Sequence, residues 1–196
     1  MIDKTIFILA IILLAIFDLN AQTGQIQEGS VINGADGQPA GVVFQYDAQT
    51  GAGLMVSLSD TQLPWGAMGV NVPNVNDNIN SAVALRDFAG FVNTSAIFAH
   101  SGVRTEYAAR WCFELNAGGL TGWYLPSVGE LHLLLSKRQL LNQTLQRIGA
   151  TAIPGGWYWS SSEGNENRAW NVSGDNVYPA NKNEIRRVRA IRKFYQ

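Results

Sequence analysis

Cysteine is almost missing from this chain: Cys112 is the single one among 196 residues. An internal disulfide, a zinc site built on several thiolates and a paired-thiol redox centre are therefore excluded. Charge is scarce too, at 15% of residues, well under the roughly 25% of ordinary soluble domains. A coiled coil cannot be written with so few charges. Histidine occurs only at His100 and His132, and neither falls in a metal-ligand spacing such as His-Glu-x-x-His. No serine occupies a Gly-x-Ser-x-Gly elbow, and Gly118-Gly119-Leu120-Thr121-Gly122 lacks the lysine of a phosphate-binding loop. The residues therefore call for no metal, no cofactor and no catalysis. The one long apolar run, Ile6 to Phe17, falls short of the about 20 residues that a membrane span needs.

What is present is apolar, glycine-rich and aromatic: 46% hydrophobic residues, 20 Gly and 6 Trp. That composition predicts one globular, loop-rich domain with aromatic packing. Its start has a different character. Lys4 precedes the apolar run, and Asp18-Leu19-Asn20-Ala21-Gln22 comes after it, the order of a secretory signal peptide over residues 1–21 cut after Ala21. Without the cut, the same segment would be a membrane anchor. No cysteine comes after the run, so a lipid-modified start is unsupported. The expected location is secreted, periplasmic or cell-surface.

Residues 22–40 are polar and Gly-rich and read as a flexible lead-in to a domain over 41–196. Val42–Tyr46 and Gly53–Leu58 are β-rich runs around Gly51, which predicts a hairpin. Asn-rich turns are expected from Gly66 to Asn80, where a calcium loop would need more carboxylates than Asp77. Helices are expected over Ser81–Val92 and over Thr105–Leu115, the second burying Cys112. A third opens on the capping box Ser127-Val128-Gly129-Glu130, and a fourth carries Leu141, Leu145 and Ile148. Trp157–Ser160, Ala169–Val172 and Val188–Ile191 read as strands, with Trp123 and Trp159 buried. Strands, helices, strands again is an α+β order.

The tail from Lys182 is basic, with six cations against Glu184. Export makes a strand whose arginines meet carboxylates or frame a pocket the better reading than a nucleic-acid patch. Nucleic acid is not an expected partner. Between Glu163 and Glu184 stand Asn165, Asn167, Asn171, Asn176, Asn181 and Asn183, with Trp170, Ser173, Asp175 and Tyr178 among them. Aromatic and small polar residues on scaffolded loops suit a recognition surface. Asn-rich turns around core tryptophans suit the same composition. If the set is a display surface, the side chains of Asn165, Asn167, Asn176, Asn181 and Asn183 should reach solvent along one face, with Trp170 or Tyr178 as anchor.

Gly122-Trp123-Tyr124-Leu125-Pro126-Ser127 with Glu130-Leu131, then Tyr158-Trp159-Ser160-Ser161-Ser162-Glu163, Ala169-Trp170, Lys182 and Val188-Arg189-Ala190-Ile191-Arg192 together resemble the bacterial Lcl C-terminal-like family. Gly41–Phe44, Gly53-Leu54 and Trp65-Gly66 fit that family's opening strands, so the resemblance runs from about Ala40 to Phe194. It implies a C-type-lectin-like variant related to the formylglycine-generating enzymes, with a mixed or antiparallel sheet and flanking helices. The stretch from Tyr158 to Arg192 also resembles the variable region of proteins diversified by retroelements. That resemblance implies a changeable set of Asn165, Asn167, Asn171, Ser173, Asp175, Asn176, Tyr178, Asn181 and Asn183.

Departures from these families narrow the function. Calcium-dependent lectins carry Glu-Pro-Asn or Gln-Pro-Asp and Trp-Asn-Asp, whereas Trp170-Asn171 is succeeded here by Val172. The paired cysteines of the formylglycine-generating enzymes are absent as well. The expected function is exported, non-catalytic recognition of a protein or glycan on another cell, a phage or a host surface. The alternative is a structural or assembly component of the cell surface.

Overall fold

A computed structural model describes residues 25–66, 68–75, 80–100 and 106–196. The expected signal peptide and its cleavage site lie outside the described residues. Among the described residues, nine strands make two sheets. The first has the order β1 (Val31–Asn33), β2 (Pro39–Asp47), β3 (Ala52–Ser57), β9 (Ile191–Tyr195), all antiparallel. The second has the order β4 (Thr61–Leu63), β8 (Arg186–Val188), β5 (Tyr158–Glu163), β6 (Arg168–Ser173), β7 (Asn176–Asn181). Only the β5–β8 pair in it is parallel. Five helices among the described residues lie between and around them: α1 (Ser81–Ala84), α2 (Gly90–His100), α3 (Ala108–Glu114), α4 (Val128–Ser136) and α5 (Arg138–Arg147). The α+β order expected from the sequence is the one observed.

The first sheet is buried on both faces, which is why β2 reads as a continuous apolar run and not as an alternation. Val43, Met55 and Phe194 face a cluster with Trp65, Trp123, Trp159 and Cys112. Val42, Phe44, Val56 and Ile191 face a second cluster with Leu131, Leu134, Leu141, Tyr158 and Trp170. Val188-Arg189-Ala190-Ile191 is therefore not one strand. The chain leaves the second sheet at Val188 and joins the first at Ile191. This switch ties the two sheets together beside both clusters.

Three further expectations change. Residues 31–33, expected within a flexible lead-in, form β1, because Val31 and Ile32 find partners in Val42 and Gly41 of β2. The single helix expected over Ser81–Val92 is two, broken at Asp87. The Asp87 carbonyl accepts hydrogen bonds from the Ser127 hydroxyl and Gly129 N–H, and its carboxylate accepts from Ser162 and Asn93. Those contacts hold the segment out of helix and outweigh local propensity. The Asn-rich stretch beyond Glu163 is likewise not mainly loop. It is a hairpin, β6–β7, in register from Arg168 with Asn181 to Ser173 with Asn176.

Candidate functional site

The β6–β7 hairpin turns at Gly174-Asp175. Gly174 has φ +57°, which the first central position of a type II′ turn requires. β6 is an inner strand, held between β5 and β7, so Ala169, Trp170, Asn171 and Val172 are buried. β7 is the sheet edge and is largely open to solvent. The two-residue turn makes Ser173 and Asn176 a hydrogen-bonded pair, so Tyr178 and Ala180 turn their backbone groups to β6 and Pro179 turns outward. Having no N–H to offer there, Pro179 blunts the edge against pairing with another strand.

Of the ten residues singled out from the sequence, Asn165, Asp175, Asn176, Tyr178, Asn181 and Asn183 are exposed, and Asn167 and Ser173 are half-buried. Two are not on an accessible surface. Trp170 is 5% exposed and Asn171 is 2% exposed, because the inner strand that carries them is covered on both sides. The Asn171 amide donates to the Tyr178 carbonyl at 2.9 Å, bracing β7. The exposed set does not share one face either. Strand alternation puts Asn176 and Tyr178 on one face of β7 and Asn181 on the other.

Several asparagines also shape the backbone. Asn165 Oδ1 accepts from Asn167 N–H and Arg168 N–H, both at 2.9 Å, forming the turn into β6. Asn167 Oδ1 accepts from Gly69 N–H at 3.1 Å. What remains as a presented surface is centred on Tyr178, 59% exposed, whose ring meets Trp157 edge-on at 5.8 Å. Beside it, His132 of α4 reaches Asp175 at the hairpin tip, 3.6 Å away.

Beneath this surface two residues of the quoted motifs meet, although no local spacing pairs them. Lys182, just after β7, and Glu163, at the end of β5, form an ion pair with both side chains fully buried. The Lys182 ammonium also donates to the Val70 carbonyl and stands 4.6 Å from the Trp65 ring centroid. Glu163 accepts from Val72 N–H at 3.1 Å. The Lys182 backbone is used too, its N–H donating to the Asn167 carbonyl and its own carbonyl accepting from Trp65 N–H. The pair thus pins Trp65, Val70 and Val72 against the base of the hairpin.

A concavity of about 680 Å³ lies between the β2–β3 hairpin end, the start of α2 and β9. Phe88, Phe91 and Val92 in its lining are 60%, 51% and 58% exposed, and Arg192 and Lys193 line it too. The sequence gives no sign that these three apolar residues are exposed, because they sit inside what looks like one helix. At its floor, Glu130 Oε2 accepts from Ser127 N–H at 2.9 Å, closing the capping box of α4, and Oε1 accepts from the Tyr124 hydroxyl at 3.0 Å. Gly90 is needed above it, since a Cβ there would sit 2.1 Å from Glu130 Oε2.

Burial pushes the Glu130 carboxyl above its ordinary value of 4.5, outweighing the hydrogen bonds from Ser127 and Tyr124 that lower it. The folded state then holds the Glu130 proton more tightly than the unfolded chain, so this contribution favours folding at acid pH. It is lost as pH rises from about the ordinary carboxylate range through the raised folded value. Glu130→Gln, neutral throughout and still able to accept from Ser127, should flatten that part of the stability profile. Thermal unfolding measured across the acid-to-neutral range checks it: parallel profiles for the two proteins would contradict the assignment.

Among the described residues, no three His, Cys, Asp or Glu side chains gather as metal ligands would. Cys112 is fully buried, and burial raises its thiol well above the ordinary range, so it packs as a small core residue. Among the described residues, no helix is long and apolar enough to cross a membrane.

No family model matches the chain, and no curated protein matches it. Among solved structures, a fimbrial protein from Bacteroides ovatus ATCC 8483 shares the fold with a TM-score of 0.65 at 18% identity. The match covers 87% of this chain and 49% of that one. This chain thus corresponds to about half the length of its structural neighbour.

Proposed function

We propose that this chain is an exported, non-catalytic recognition domain, a C-type-lectin-like variant that binds a protein or glycan on another cell, phage or host surface. One observation carries the reading: Tyr178 stands on a hairpin whose inner strand is locked into the core, with its ring braced edge-on by Trp157 just before β5. A ring held rigid loses little entropy on binding, and binding energy concentrates in a few such anchors. Asp175, Asn176, Asn181 and Asn183 are the neighbouring positions that a diversifying retroelement could vary without disturbing the buried strand. Trp170 and Asn171 are excluded from that set by their burial.

A library randomised at Asn176, Tyr178, Asn181 and Asn183 tests this. Individual members should keep stability within about 0.5 kcal/mol, as ordinary surface sites do, while differing in binding to a glycan array and to intact bacterial cells. Thermal unfolding and array binding are the two readouts. A library whose members mostly unfold, or mostly bind the same targets equally, would sink the reading.

The second reading is a structural or assembly component of the cell surface. The fold shared with a fimbrial protein favours it, as do Asn165, Asn167 and Asn171, which hold turns and strands in place. Uniform binding across a well-folded library, with self-association of the purified chain, is the outcome it expects.

A further inference from the structure

We infer that the segment from Thr151 to Gly156 covers a binding site for an oxyanion group, whether carboxylate, sulfate or phosphate, held by Arg138, Arg187 and Arg189. The site uses none of the residues of the Tyr178 surface. Arg189 lies in the crossing from β8 to β9 and is 1% exposed. Its Nη2 donates to the Thr151 carbonyl at 2.9 Å, so the guanidinium is lodged against the loop before β5. Among the described residues, its buried Nε and Nη1 have no acceptor. Burial lowers the Arg189 pKa to about 10, still far enough above neutral for the group to stay charged. Buried donors without partners are rare in folded proteins, and a bound water or ion is one way to meet them. For a buried cation, an anion is the partner that also offsets the cost of the charge.

The surroundings of Arg189 are positive. Asp60 pairs with Arg187 at 3.2 Å and also acts electrostatically on Arg189. Arg138, exposed at the start of α5, has no carboxylate within ion-pair distance among the described residues. All three arginines and Asp60 act on the Tyr158 phenol, which donates to the Pro154 carbonyl at 3.0 Å. Three cations thus share one acid. The loop beside them is held in place, Thr151 N–H donating to the Leu58 carbonyl at 3.1 Å and the Asn142 amide bonding both the N–H and the carbonyl of Ile153. It then runs through two exposed glycines. A Cβ on Gly155 would stand 3.5 Å from Arg138 Nη1, and one on Gly156 would stand 3.5 Å from Arg187 Nε. With no side chain at either position, the loop leaves both guanidinium groups uncovered. Arg138 and Asn142 also line a concavity of about 560 Å³ that includes Ser136, Gln139, Gln143 and Gln146. Among the described residues, no carboxylate lines it. Hydrogen-bonding groups around guanidinium cations suit an oxyanion, whose several oxygens each accept.

The test follows thermal unfolding of the whole chain against rising potassium phosphate, potassium sulfate or potassium glucuronate. Potassium chloride at matched ionic strength and glucose are the comparisons. Tm should rise and then saturate with an oxyanion, by about 3 to 6 °C at tenfold excess over the dissociation constant. Chloride and glucose should give no saturable rise. A response to glucuronate alone assigns the group to an acidic sugar, and an equal response to phosphate or sulfate assigns it to a free anion. Arg138→Gln should weaken the apparent affinity at least about tenfold, the effect of losing a charge-assisted bond. Gly155→Asp should abolish the response, because it sets a carboxylate of the chain itself beside Arg138. Gly155 does not adopt the left-handed backbone of Gly156 (φ +123°) and is exposed, so that variant should fold. Arg189→Lys keeps the charge and loses donors, and should weaken the response too. Circular dichroism verifies folding, and Gly155→Asp decides where Arg189→Lys fails it. Tyr178→Ala should leave the response unchanged, which keeps the result independent of the recognition surface. No saturable rise with any of the three oxyanions overturns the inference, as does an equal rise with chloride or a full response in Gly155→Asp. A rise that stays linear with sulfate and phosphate overturns it as well, since general exclusion of these ions from protein surfaces acts that way.

Discussion

Lys182→Met will destabilise the protein by about 3 to 5 kcal/mol, the cost of leaving a buried carboxylate without its cation. Glu163 has no exposed side-chain surface through which to regain water, so the charge must be desolvated, protonated or freed by local unfolding. For a chain of this size, roughly 2 to 4 °C accompanies each kcal/mol, and a fall in Tm of about 10 °C is the expected reading. The damage should be local at first. Trp65, Val70 and Val72 are held here, by Val70 to Lys182, Val72 to Glu163 and the Trp65 backbone and ring to Lys182. Amide exchange should therefore quicken there before it quickens in β2 or β3.

The size of that loss does not mean that the pair contributes as much to folding. Desolvating both charges cancels most of their attraction, so replacing both by apolar groups can be nearly neutral. Lys182→Met combined with Glu163→Leu should recover a large part of the single variant's loss. If the double variant is as unstable as the sum of the two singles, the hydrogen bonds to Val70 and Val72 hold the loop and the charge pair does not. Because these contacts sit under the hairpin, the pair also bears on function. It sets the base from which Tyr178 and Trp157 are presented.

Much of this architecture can be read in the sequence, and the parts that cannot have identifiable causes. The β2–β3 hairpin is written in two β-rich runs around Gly51, which adopts φ +69°. The capping box of α4 and the leucines of α4 and α5 are written in local spacing, and the structure keeps both. β7 is not legible because Asn-Val-Tyr-Pro-Ala-Asn looks like a turn-forming string. Proline and asparagine are tolerated there only because the strand is an edge. The break at Asp87 is illegible for another reason. Two of its partners, the Ser127 and Ser162 hydroxyls, lie 40 and 75 residues away. The Glu163–Lys182 pair spans 19 residues across a hairpin, and no helical or strand periodicity links the two positions. The concavity is hidden likewise, since it joins α2, the β2–β3 hairpin and β9.

Trp159→Ala is the second large effect expected, at about 3 to 5 kcal/mol for an aromatic core truncation. Trp159 is fully buried in the cluster that also contains Trp65 and Trp123, so its removal leaves a void lined by groups too constrained to close it. The indole has a second task. Its N–H reaches the Leu63 carbonyl at 3.1 Å and the Glu184 carbonyl at 3.3 Å, joining β5 to the end of β4 and to the turn before β8. Trp159→Phe separates the two contributions, because it keeps most of the ring and loses the donor. That variant should cost about 1 to 3 kcal/mol, the penalty for buried acceptors left without a partner. Chemical denaturation of the three proteins decides it. A Phe variant as unstable as the Ala variant would assign the effect to the hydrogen bonds, and an Ala variant with unchanged unfolding would remove Trp159 from the core. Against a typical total of 5 to 15 kcal/mol, the Ala variant leaves little reserve. The presented hairpin, whose β6 register runs through Trp159 and Asn171, should lose its order along with the core.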